Sequence, residues 1–208
     1  MGRAKFDLPM IAFKSQKAWD TWLASRPADS KGLWLKLAKK SSGIASVSKA
    51  EAIDTALCHG WIDGQLDSFD DDYWLIRFTP RQSTSKWSEK NRVRALQLVA
   101  LKRMRPAGLK EIERAKKDGR WDAAYAPQST AQVPDDLRAA LAKNKKAKGF
   151  FEALDRTNRF AILYRIHDAK KPETRMARIE KYVTMLIEGK TIYPLKPKPL
   201  KSKPSKRA

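Results

Sequence analysis

The sequence predicts an α+β protein: a small antiparallel sheet with a β-hairpin, packed by helices, then a helical module and a disordered basic tail. Three observations carry that expectation. Helix starts and stops are marked by Ser, Pro and Gly at the proper offsets. Two short apolar runs flank the Asp-rich turn SFDDD. Beyond Pro134 every apolar pattern is helical until the Lys- and Pro-rich end.

Taken in order, residues 1–13 read as an irregular N-terminus. Ser15 caps a first helix whose Trp19, Trp22 and Leu23 recur at helical spacing, and Arg26-Pro27 ends it. Gly32 opens a strand in which Leu33, Leu35 and Leu37 alternate with Trp34 and Lys36. Ser48 and Glu51 form a capping box. The helix they open stops at Gly60, the residue best suited to a left-handed C′ position. Strands near Trp61–Leu66 and Tyr73–Phe78 make the hairpin. Ser85 is placed to cap a helix from Lys86 to about Lys102, and Pro106 to begin the next, with Leu109, Ile112 and Ala115 as its buried stripe and Gly119 past its end. Trp121 and Tyr125 are expected to fold back onto this first domain, 14–125.

Residues 126–133 lose periodicity and read as a linker. Asp135 and Asp136 then sit where a helix dipole favours acids. Phe150, Phe151 and Leu154 supply apolar bulk to a module spanning 134–189. Phe160, Leu163 and Ile166 suggest one stripe; Met176, Ile179, Val183 and Leu186 suggest another. The segment 190–208 has seven basic residues, four prolines and no acid, a composition that cannot pack.

The 208 residues carry 44 Lys and Arg against 23 Asp and Glu, a formal charge of +21. Such a field attracts phosphate polymers and anionic membrane surfaces and repels polycations. The basic tail is therefore a candidate for sequence-blind nucleic-acid or anionic-membrane binding. A protein partner is not legible. One cysteine excludes an internal disulfide. With no signal-like or membrane-spanning run, the expected compartment is the cytoplasm.

Metal chemistry has little support. Cys58 and His59 are adjacent, His167 is far along the chain, and the acids from Asp67 to Asp72 lack the glycine and terminal Glu of a calcium loop. Neighbouring helical residues diverge by about 100°, so His59 is badly placed to activate Cys58. No catalytic residue, cofactor or metal is expected. More informative is WIDG with TPRQSTSKWSEKN. Here Trp61, Asp63, Arg81, Ser85, Trp87, Ser88 and Asn91 combine flat aromatics, a carboxylate, a guanidinium and small polar groups. If hairpin and helix converge, free N–H groups at Ser85–Ser88 beside Arg81 would make an anion-binding corner for a small anionic ligand. The structural alternative is that Asp63 pairs with Arg81, the serines only cap and the tryptophans are core.

The runs ALCHGWIDGQ, FTPRQSTSKWSEKN and RMRPAGLKEIERAKKDGRWDAAY, with the stretch from LRAALAKNKK to YVTMLIEGK, resemble the YdeI/OmpD-associated, or bacteriocin-protection, family over about residues 14–190. The pattern agrees at Cys58, Gly60, Trp61, Asp63, Gly64, Pro80, Arg81, Ser85, Trp87, Ser88 and Asn91. It agrees again at Ala169, Lys170, Thr174, Arg175 and Arg178. His59 stands where the family has an aromatic, which argues against a catalytic histidine. The resemblance implies a role in resistance to bacteriocins and cationic antimicrobial peptides, and it carries no established reaction.

Overall fold

The computed structural model describes residues 7–27 and 29–195. The chain divides between Tyr125 and Ala126 into two compact units, and the class is α+β. The far part of the expected tail, residues 196–208, lies outside the described residues.

In the first unit, β1 (Met10–Ala12), β2 (Leu33–Ala38), β4 (Tyr73–Pro80) and β3 (Trp61–Ser68) form one sheet in the order β1-β2-β4-β3. β1 corrects the reading of residues 1–13 as irregular. It pairs in parallel with β2, Met10 opposite Trp34, so the otherwise antiparallel sheet has one parallel edge. A three-residue edge strand is too short to show alternation, and only its pairing defines it.

α1 (Gln16–Ala24) begins at Ser15, whose hydroxyl accepts from the Ala18 amide (3.2 Å). α2 (Lys49–Cys58) has both capping-box bonds: Ser48 N–H to the Glu51 carboxylate (2.9 Å) and Glu51 N–H to the Ser48 hydroxyl (3.3 Å). Those bonds hold the Glu51 carboxyl below its ordinary pKa. The two helices cover Leu33, Leu35, Leu37, Ile76 and Phe78 of the sheet. Trp19 binds them together, its indole N–H donating to the Ala52 carbonyl (3.1 Å) while its ring packs on Phe13, Trp22 and Phe78.

A second core holds α3 (Glu89–Ala100) and α4 (Pro106–Lys117) against the end of α2. The buried face of α4 is Gly108, Ile112 and Ala115. Leu109, expected inside, is 42% exposed. The helix turns Gly108 inward instead because it crosses the C-terminus of α2 at close range: a Cβ there would lie 2.4 Å from the Cys58 carbonyl oxygen. Trp121 and Tyr125 do fold back. The Trp121 ring meets Trp87 edge-on at 4.9 Å, and Tyr125 N–H donates to the Trp87 carbonyl (3.1 Å).

The second unit comprises α5 (Asp135–Ala142), α6 (Lys145–Ala153), α7 (Arg156–His167) and α8 (Pro172–Ile187) around Leu137, Leu141, Phe151, Ile162, Ile166, Ile179, Tyr182 and Leu186. Two expected stripes are rotated. Phe160 is half-buried and Ile162 takes the core; Met176 is 65% exposed and Tyr182 packs inside. Buried Asn158 accepts from Tyr193 N–H (2.9 Å) and donates to the Tyr193 carbonyl (3.2 Å), so structure continues past Lys190. No helix of the described residues is long and apolar enough to cross a membrane.

Candidate functional site

Gly60 sets the geometry. Its φ of +75° turns the chain out of α2 and into β3. Its carbonyl accepts from the Arg81 amide (2.9 Å) as β4 leaves the sheet opposite Trp61. The Arg81 side chain then passes beneath the loop that leads to α3, and its Cζ lies 3.7 Å from the centre of the Trp87 ring.

Arg81 is 4% exposed. One guanidinium nitrogen, Nη1, donates to the Lys86 carbonyl (3.2 Å). Nε and Nη2 are buried and have no acceptor among the described residues, as do Arg114 Nε and Trp87 Nε1. Burial pushes the Arg81 pKa down to about 10, while the charges of Asp63 and Glu111 act against it. The group is still a cation at neutral pH. Unpaired charged donors in a low-dielectric interior are costly, and here they gather within one corner.

Two further arginines frame it. Arg114 donates to the Arg81 carbonyl (3.2 Å) and pairs with Glu111. Arg120 clasps Asp118 through Nε (2.8 Å) and Nη2 (2.7 Å), and its Nη1 donates to the Ser85 carbonyl (2.7 Å). That clasp holds the Asp118 carboxyl below its ordinary value. The sequence reading missed Arg114, Glu111 and Arg120. Arg114 belongs to the basic last turn of α4, which looks like ordinary macrodipole complementation, and Arg120 follows just past that helix.

The structure gathers only part of the expected set. Arg81 and Trp87 meet. Asp63, on β3 beside a bulge between Asp63 and Leu66, reaches Arg81 by charge and not by a hydrogen bond. Trp61 is elsewhere: it is 4% exposed in the first core, edge-on to Trp22 at 5.8 Å. Ser85 does not cap. Its hydroxyl accepts from Gln82 N–H (2.9 Å) and closes a turn. The helix expected from Lys86 starts at Glu89, capped by Ser88, whose hydroxyl accepts from the Asn91 amide (3.1 Å). The Glu89 amide is taken by the Tyr125 carbonyl (2.9 Å). The Ser85 amide donates to the Gln82 carbonyl (3.0 Å), and the buried donors without an acceptor among the described residues belong to side chains.

Cys58 and His59 have structural surroundings. Cys58 is buried, and burial pushes its thiol pKa up. His59 Nε2 lies 2.8 Å from Asp20 Oδ1. Asp20 also accepts from Arg105 (3.2 Å). Burial opposes its ionisation, but these two partners outweigh burial and hold its carboxyl low. No group of three or more His, Cys, Asp or Glu side chains is placed to hold a metal among the described residues.

Fold and corner together define a helix-covered sheet domain presenting buried cationic donors, joined to a separate helical unit. Residues 130–189, within the second unit, match the family model described as bacteriocin-protection, YdeI or OmpD-associated. Residues 11–111 match a different model, a domain of unknown function (DUF8412). No curated protein and no solved structure matches the chain.

Proposed function

We propose that the first unit binds a small oxyanion at Arg81 and that this binding serves a bacterial stress-protection role of the kind named in the family model that residues 130–189 match. The observation that carries the reading is the buried Arg81 guanidinium whose Nε and Nη2 have no acceptor among the described residues, next to Arg114 Nε and Trp87 Nε1. A carboxylate or phosphate supplies acceptor lone pairs of the charge and planar spacing that a guanidinium fork prefers. Trp87 covers one face of that fork. Approach is from the side of the turn at Gln82–Ser85, where Gln82, Ser83 and Thr84 are exposed.

Direct capture of cationic peptides fits poorly, because a chain of charge +21 repels polycations. The acids at the hairpin tip are exposed, and exposed pairs contribute little. Protection through a small anionic molecule in the cytoplasm agrees better with the charge.

The test is calorimetric titration of inorganic phosphate and short carboxylates into wild type and Arg81→Lys. Lysine keeps the charge and removes the fork. Binding tighter than about 1 mM in wild type, weakened roughly tenfold or more by the substitution, supports the reading. No wild-type binding in that range removes it.

A further inference from the structure

Away from Arg81, a cavity of about 430 Å³ opens between α1, α2 and the connection from α3 to α4. Its lining includes Lys17, Lys102, Arg103 and Arg105, with Asp20 and the buried Thr55 and Cys58. Asp20 is already committed to His59 and Arg105. Lys17, Lys102 and Arg103 pair with no carboxylate among the described residues. The Cys58 thiol is neutral at physiological pH because burial raises its pKa. The cavity therefore concentrates uncompensated positive charge in a recess of the size that holds small molecules.

A second, independent observation concerns the backbone. Among the described residues, Lys102 is the one non-glycine at positive φ (+55°); Gly32, Gly43, Gly60, Gly119 and Gly189 hold the other such positions. α3 ends with Lys102 N–H donating to the Val99 carbonyl and Arg103 N–H to the Leu98 carbonyl, both at 2.9 Å. That is the Schellman arrangement, whose C′ residue is ordinarily glycine. A lysine is held in a conformation that disfavours it, at the rim of a cationic cavity, and such strain concentrates at ligand sites.

We infer that this cavity binds the phosphate group of a small phosphate monoester, with Lys17, Lys102 and Arg103 on the phosphate and the body of the ligand against Thr55 and Cys58. Three unpaired cations suit a dianion better than a monocarboxylate. The site is distinct from the Arg81 corner, and either can fail without the other.

Adenosine 5′-monophosphate, with adenosine as the uncharged control, is titrated by calorimetry into wild type, Lys102→Gly and Arg81→Lys, and each melting temperature is recorded. The nucleotide should bind wild type, and Arg81→Lys, which removes the other proposed anion site, should retain a nucleotide-binding event at this cavity. Lys102→Gly should bind it roughly tenfold more weakly while melting a few degrees higher, because glycine relieves the left-handed strain. The inference is overturned by absence of nucleotide binding to wild type, by equal affinity in Lys102→Gly, or by equal binding of adenosine. It is also overturned if Lys102→Gly melts no higher than wild type, or if affinity is lost only in Arg81→Lys.

Discussion

At the scale of single residues, Arg81 separates stability from function. A buried cation with two unpaired nitrogens destabilises the fold it sits in, and an apolar side chain of similar length removes that cost. Arg81→Met should raise the free energy of urea unfolding by about 1 kcal/mol while abolishing anion binding at that corner. Equilibrium unfolding beside calorimetry checks both halves. Arg81 and Trp87 were legible in the sequence as joint candidates, but Arg114 and Arg120 beside them were not. Trp61 and Trp87 lie on either side of Arg81 in the motif run, yet strand geometry sends Trp61 to α1 and loop geometry sends Trp87 to Trp121. Proximity along the chain does not choose the face of a sheet. The helix cap was ambiguous for a related reason. Ser83, Thr84, Ser85 and Ser88 all have cap chemistry, and Ser88 is selected by a bridge to Tyr125, a contact of long range.

At the scale of elements, close crossing and cross-helix pairs set the stability. Gly108→Ala would bring its Cβ to 2.4 Å from the Cys58 carbonyl oxygen and 2.8 Å from that of Leu57. Backbone cannot yield as a side-chain tip does, so α4 must move off α2. The expected loss is about 2–3 kcal/mol, read as a lower urea midpoint. In the second unit, Arg175 on α8 grips Asp136 of α5 (2.5 and 3.0 Å) and donates to the Ile166 carbonyl of α7 (3.0 Å). The Arg175 hydrogen bond holds the Asp136 carboxyl below its ordinary value. A lowered folded pKa gives stability that is whole above about pH 4 and is lost as pH falls through the folded value. Asp136→Asn should therefore cost about 1 kcal/mol at pH 7 and flatten the acid limb of the second unit, followed by hydrogen exchange against pH. Helix ends marked by Ser15, the Ser48–Glu51 box and Gly60 were readable because capping is local chemistry. Leu109 and Met176 were misread because a helical stripe fixes its direction only to within about one residue position, and the neighbour decides the rest.

At the scale of the whole molecule, charge dominates the long-range behaviour. With a net +21, binding to a generic duplex should weaken steeply as salt rises. Deletion of residues 196–208, which contain six of the basic residues, should reduce the slope of log affinity against log salt. A slope unchanged by the deletion would place the contact on the folded units instead. Composition thus set the electrostatic expectation before any coordinate, whereas the two separate cores of the first unit emerged only from packing. Those cores have an optical consequence. All seven tryptophans lie between Trp19 and Trp121, and the second unit has none. Tryptophan emission, excited where tyrosine does not absorb, is therefore a built-in reporter of the first unit alone, blind to melting of the second, which circular dichroism still records. Because Trp87 stacks against the Arg81 guanidinium, its contribution should shift when an anion draws on that cation, so occupancy can be followed without adding a dye.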